Sequence, residues 1–204
     1  AFIERLPAKP ETDQQFVDCK SAIGTLKDAE DALNAAEAHA LGQVASFDAM
    51  KRAKALWFNL SRTTRLALEK LVAAEEQNIK IKIVTAGRTA FTEHITGLNK
   101  RLGKPYMPTI PENFAGVIKG KQKVSSLHDA VDTELARVKI EANAAADLIQ
   151  INLNSLRELA GSHAFLFADT AQIITKSNDD LVNLIKLRIS EHTAAEAKRL
   201  DTER

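Results

Sequence analysis

Phe16, Cys19, Ile23, Leu26, Ala29, Leu33, Ala36 and Ala40 recur in steps of three and four residues. That spacing gathers apolar side chains along one side of an α-helix and scatters them over both faces of a strand. Met50, Ala53, Trp57, Leu60, Thr64, Ala67, Leu71 and Ala74 repeat it with nearly heptad spacing, and Leu127, Val131, Leu135, Val138, Ala142, Ala145, Ile149, Asn152, Leu156 and Leu159 repeat it again. A chain that distributes its apolar residues this way buries them helix against helix. The fold class expected is therefore all-α. Aromatic residues make up only 5% of the chain, so the packing is built on Ala and Leu and the shape expected is elongated. Ile79, Ile81 and Ile83 alternate with Lys80 and Lys82 as a strand would. Strand and helix both stay open over Ile79–Val84, with helix favoured because no partner strand is visible.

Punctuation divides the chain. Pro7 and Pro10 make residues 1–12 an extended leader, after which Thr12 or Asp13 can cap a helix. Two helices joined by a short turn at Gly42–Ser46 form an antiparallel, coiled-coil-like hairpin over 13–102, the heptad of the second facing the first. Ser46 or Asp48 caps that second helix. Gly103 and Pro105, Pro108 and Pro111 end it and open a connector over 103–124, with at most one helical turn at Pro111–Ile118. A smaller helical unit follows over 125–204, its start marked by a capping box at Ser126–Asp129 and its first helix ended by Gly161. It either stands alone or packs on the hairpin as one domain. Phe165, Leu166 and Phe167 read as a plug closing a bundle, and Ser177–Asp180 as a second capping box. Past Ala195 the chain turns polar and is expected to fray.

Charge is unevenly spread. From Ile79 to Lys123 nine cations face only Glu93 and Glu112, a net charge of +7 in a chain whose total is +1. A connector rich in cations points to phosphates or to an acidic partner surface. The candidate contacts are Lys100, Arg101, Lys104, Lys119, Lys121 and Lys123, with Tyr106 or Phe114 able to stack on a base. The competing reading is a solvated loop, with Lys100 and Arg101 complementing a helix dipole and Tyr106 packing the loop down. Possible partners are thus DNA or RNA, another protein, or a second copy of the chain.

Other classes find less in the residues. The lone Cys19 forms no internal disulfide, which suits a reducing compartment. No apolar run approaches the roughly 18 residues needed to span a bilayer, so no membrane partner is expected. The chain opens on Ala1 rather than Met, which leaves room for a further region upstream. His39, His94, His128, His163 and His192 lack the spacing of a helical zinc site, and no phosphate-binding glycine loop or nucleophile elbow occurs. The pairs Asp28/Asp31 and Asp129/Asp132 are the only hint of a metal-dependent hydrolase, and they read more simply as solvated or first-turn residues. No cofactor, metal or catalytic residue is assigned.

Three stretches carry a resemblance: His94 to Pro108 (HITGLNKRLGKPYMP), Asp129 to Ala142 (DAVDTELARVKIEA) and Ala164 to Ile174 (AFLFADTAQII). They resemble helical proteins of unassigned function encoded by temperate bacteriophages and prophages near recombination and replication genes. The resemblance implies a bacterial cytoplasmic setting and a non-enzymatic accessory or adaptor role in phage nucleic-acid metabolism. It carries over no site residues. The alternatives left open by the residues are a protein-only coiled-coil assembly module and the metal-dependent hydrolase.

Overall fold

The structure, a computed structural model, describes residues 9–40 and 47–203. The turn expected at Gly42–Ser46, its Ser46 cap and the first eight residues of the leader lie outside the described residues. Within them the protein is all-α, with helices α1 (Asp13–Ala40), α2 (Phe47–Leu102), α3 (Phe114–Val117), α4 (Val124–Ala160), α5 (Thr170–Ile173) and α6 (Asn178–Thr202), and a 3-10 segment at Gly161–Phe167. Ile79–Val84 lies inside α2, since an alternating segment without a neighbouring strand satisfies its backbone groups only as helix. None of the described helices is long and apolar enough to cross a membrane.

The chain forms two compact units: one comprises the chain up to Thr85 with Ile118–Ala130, the other Ala86–Val117 with Val131–Arg204. In the first, α1 starts on a capping box in which the Thr12 hydroxyl accepts from the Gln15 N–H while the Gln15 side chain accepts from the Thr12 N–H, each at 3.3 Å. Phe16, Cys19 and Val72 pack with Ile23, Ile79 and Val124, and Ala22, Leu26 and Leu68 form the adjoining layer. Each large side chain so buried contributes about 1.5–3 kcal/mol. Ion pairs join Lys20 to Glu76 at 2.7 Å, Glu30 to Arg65 at 3.0 Å, and Glu37 to Lys54. One partner's number rises as the other's falls, so α1 and α2 run antiparallel.

The seam is not the one the heptad pointed to. Lys54, Arg65, Leu68 and Val72 face α1, whereas Met50, Trp57 and Leu60 are 50%, 58% and 48% exposed. Glu30 and Glu37 on α1 pair with the two cations of α2 in this contact, and Met50, Trp57 and Leu60 face outward. The start of α4 differs as well: it begins at Val124, two residues before the expected cap at Ser126, because the Asp13 carboxylate accepts from the Val124 and Ser125 N–H groups at 2.5 and 3.3 Å. A side chain from the foot of α1 thus caps α4.

In the second unit the connector is an ordered strap. Gly103 takes φ of 80° after α2, a left-handed conformation that Gly adopts without strain. Asn99 then accepts from the Met107 N–H at 3.0 Å, and Arg88 pairs with Glu112 at 2.9 Å, so the strap runs back antiparallel to α2. α3 begins at Phe114, three residues after Pro111, rather than on the proline. Phe114 is fully buried, and it and Val131 crowd Gly87 so closely that a Cβ there would lie 3.1 and 2.7 Å from them. Glu134 fastens the strap by accepting from the Asn113 N–H at 2.8 Å, and Arg137 bonds both Glu134 and the Pro111 carbonyl. That guanidinium holds the Glu134 carboxyl below its usual range.

Gly161, with φ of 48°, ends α4 as expected. Of the expected plug, Phe167 is buried and Phe165 is 64% exposed, its ring edge-on to His192 at 5.2 Å. Asn152, fully buried, donates to the Ile174 and Lys176 carbonyls at 2.7 and 2.8 Å and accepts from Asn178 at 3.0 Å, fixing the turn that leads into α6. Ser177 caps α6 by accepting from the Asp180 N–H at 3.3 Å, as its sequence pattern predicts. Arg188 grips Asp169 at 2.6 and 2.7 Å and holds that carboxyl below its usual range. α6 continues as helix to Thr202 rather than fraying after Ala195.

Candidate nucleic-acid interface

The sequence-predicted site residues fall into two groups at the two ends of the strap. Lys100, Arg101, Lys104 and Tyr106 belong to the second unit, and Lys119, Lys121 and Lys123 to the first. Lys100 and Arg101 sit in the last turn of α2, where the helix dipole favours cations. Arg101 is held at 2.8 Å by Asp147 of α4, both side chains remaining open to solvent. Lys100 and Lys104 are exposed and make no ion pair among the described residues. The ordered backbone between them, bonded from Gly103 N–H to the Lys100 carbonyl at 3.2 Å, sets where the two lysines emerge.

Tyr106 does not stand free. It is half-buried and lines a cavity of about 310 Å³ with Leu153, Leu156, Arg157, Ala160 and Phe167. Its ring packs the strap toward α4, and the cavity also presents the Arg157 side chain, which the sequence did not single out because the residues flanking it on α4 read as an ordinary amphipathic helix.

At the far end, Lys121 N–H bonds the Ile118 carbonyl at 3.2 Å and Gly120 takes φ of 74°, making a tight turn that exposes Lys119 and Lys123 and leaves Lys121 half-buried. Lys123 lies near Asp13, whose carboxyl is lowered first by the Val124 N–H and in smaller part by this lysine. On the helices Lys27, Lys51, Lys70, Lys80 and Lys82 likewise make no ion pair among the described residues, while Lys20, Lys54, Arg65, Arg88, Arg137 and Arg188 each meet a carboxylate.

Asp28, Asp31, Asp129 and Asp132 are all exposed. No group of three or more His, Cys, Asp and Glu side chains among the described residues gathers where a metal ion could be held. The protein is all-α, with Lys100 and Lys104 exposed in the second unit and Lys119 and Lys123 exposed in the first. Compared with known proteins, the chain matches no family model, no curated protein and no solved structure.

Proposed function

We propose that the chain is a non-enzymatic adaptor in phage nucleic-acid metabolism, contacting the phosphates of DNA or RNA through the lysines at the ends of the strap. The observation that supports this reading is the concentration of positive charge: from Ile79 to Lys123 nine cations face only Glu93 and Glu112, and Lys100, Lys104, Lys119 and Lys121 have no acidic partner among the described residues. An unpaired ammonium on an ordered backbone meets a phosphate without first breaking an ion pair and with little of the strap left to order. The phage setting rests on the resemblance of the three stretches quoted above.

The test is a salt titration of single- and double-stranded DNA and RNA binding, wild type beside Lys119→Ala/Lys121→Ala/Lys123→Ala. If all three lysines touch phosphates of a duplex, the variant loses about 2.7 units of slope in log K against log salt. Absence of wild-type binding at low salt overturns the reading, and so does a variant that binds like wild type together with Lys100→Ala/Lys104→Ala doing the same. A protein-only assembly role is favoured by a different observation, the apolar stripe that α2 turns outward.

A further inference from the structure

Tyr106, Leu153, Leu156, Arg157, Ala164 and Phe167 line one cavity of about 310 Å³, wholly within the second unit. That is the small end of the about 300–1,000 Å³ usual for ligand pockets, space for one ring system rather than a stack of them. Its walls are of two kinds. Leu153, Leu156 and Phe167 are apolar, and the half-buried Tyr106 adds an aromatic ring. Arg157 is the only charged residue of the lining. It is exposed and meets no carboxylate among the described residues, its one hydrogen bond there running to the Asn154 side-chain oxygen at 3.5 Å.

No neighbouring carboxylate competes for that guanidinium. Asp169, next to Thr170 of the lining, is already held by Arg188 at 2.6 and 2.7 Å, and Glu158 stands about 100° round α4 from Arg157, off the lining. Lys104 adds a second open cation: it is exposed, has no ion pair among the described residues, and its carbonyl accepts from the Tyr106 N–H at 2.8 Å, which fixes it within one tight turn of the ring. A flat ring that carries an anion matches both kinds of wall. The end of α4 gives it a direction. The negative end of the helix dipole lies at Ala160 and Gly161 of the lining, where a phosphate is unfavourable, so the anion belongs at Arg157 and the ring inside. We propose that this cavity takes one unpaired nucleotide, its base against Tyr106 and its phosphate on Arg157, either free or as one unit of a single strand. The polymer case rests on the nucleic-acid reading above, while the cavity itself uses none of Lys119, Lys121 and Lys123. A base inside a duplex has both faces stacked and its pairing edge occupied, so it does not enter. The cavity thus gives the chain a preference for single strands that phosphate contacts alone do not supply.

Tyr106 is the chain's only tyrosine, so fluorotyrosine incorporated into the whole chain gives a single fluorine NMR resonance, at the cavity. Nucleoside monophosphates are expected to shift it saturably. The matching nucleosides and ribose phosphate, each lacking one half of the ligand, are expected to bind about tenfold more weakly. A short single strand is expected to give the same shift at lower concentration, and the duplex of equal length none. Arg157→Gln is expected to weaken mononucleotide binding about tenfold with unchanged thermal unfolding, since the exposed guanidinium holds no ion pair of the fold. Ala164→Phe, which fills the cavity from an exposed position, is expected to abolish the response. No response to any monophosphate overturns the proposal, as does one that Arg157→Gln and Ala164→Phe leave unchanged, or an equal response to duplex. A single strand whose binding depends on the strap lysines but leaves the Tyr106 resonance unmoved overturns the cavity alone. Mononucleotide binding without polymer binding supports the cavity and overturns the nucleic-acid reading.

Discussion

Replacing Gly87 and Gly97 by alanine, one at a time, separates backbone propensity from available space, since both lie inside α2 and in the same unit. Alanine in the interior of a helix is about 1 kcal/mol more favourable than glycine. At Gly97 an added Cβ meets nothing within 4 Å, so the full gain is expected. At Gly87 it would stand 2.7 Å from Val131 Cγ1 and 3.1 Å from two ring carbons of Phe114. Val131 is 3% exposed and Phe114 0%, so neither has solvent to retreat into. Overpacking of this kind costs about 1–3 kcal/mol, which cancels or outweighs the propensity gain. Gly97→Ala is therefore expected to stabilise by about 1 kcal/mol and Gly87→Ala to destabilise by about 0–2 kcal/mol, a gap of about 1–3 kcal/mol. For a unit of this size 1 kcal/mol corresponds to roughly 4 °C in Tm. Urea and thermal unfolding followed by circular dichroism measure both variants, and Gly87→Ala/Val131→Ala completes a cycle in which the clash appears as a coupling energy. A Gly87→Ala protein as stable as Gly97→Ala, with no coupling to Val131, would refute the close packing of α2, α3 and α4.

Two further substitutions probe the joints of the fold. Asp13→Ala removes the acceptor at the start of α4 and is expected to cost about 1 kcal/mol, read as earlier amide exchange at Val124 and Ser125. Because the folded carboxyl of Asp13 sits below its usual range, its contribution is complete above the unfolded value and is lost as pH falls through the folded one; Asp13→Ala is therefore expected to flatten the acid limb of the stability profile. Asn152→Leu keeps the volume but leaves the Ile174 and Lys176 carbonyls without their partner and the Asn178 amide with only the Ser155 hydroxyl. A loss of about 2–3 kcal/mol is expected in urea unfolding, and a neutral result would mean the turn before α6 is held by other contacts.

Much of the helical layout is legible in local sequence because its causes are local. Thr12 and Gln15 start α1, Gly103 stops α2, Gly161 stops α4 and Ser177 starts α6, each through backbone groups within a few residues. The misplaced features have distant causes. α4 starts at Val124 because its cap comes from Asp13, which no pattern around Ser126 could reveal. Met50, Trp57 and Leu60 face outward while Glu30 and Glu37 pair with Arg65 and Lys54; a helix with two regular seams does not announce which one its neighbour will take. At the strap, residue type marked the cations, but that Asp147 holds Arg101 and that Tyr106 lines a cavity depend on α4, more than forty residues away.

Cys19 lies fully buried between α1 and α2, and burial pushes its thiol up from the ordinary value. A thiol-reactive reagent needs the thiolate, and here it must also wait for α1 to lift away. As the chain's only cysteine, Cys19 turns the hairpin into its own clock. The labelling rate counts openings of α1 from α2, and its dependence on urea tells a local lift from complete unfolding. The rate can be followed while circular dichroism records the rest of the chain, so the lifetime of this one contact can be read in the intact protein, without a probe being engineered into it.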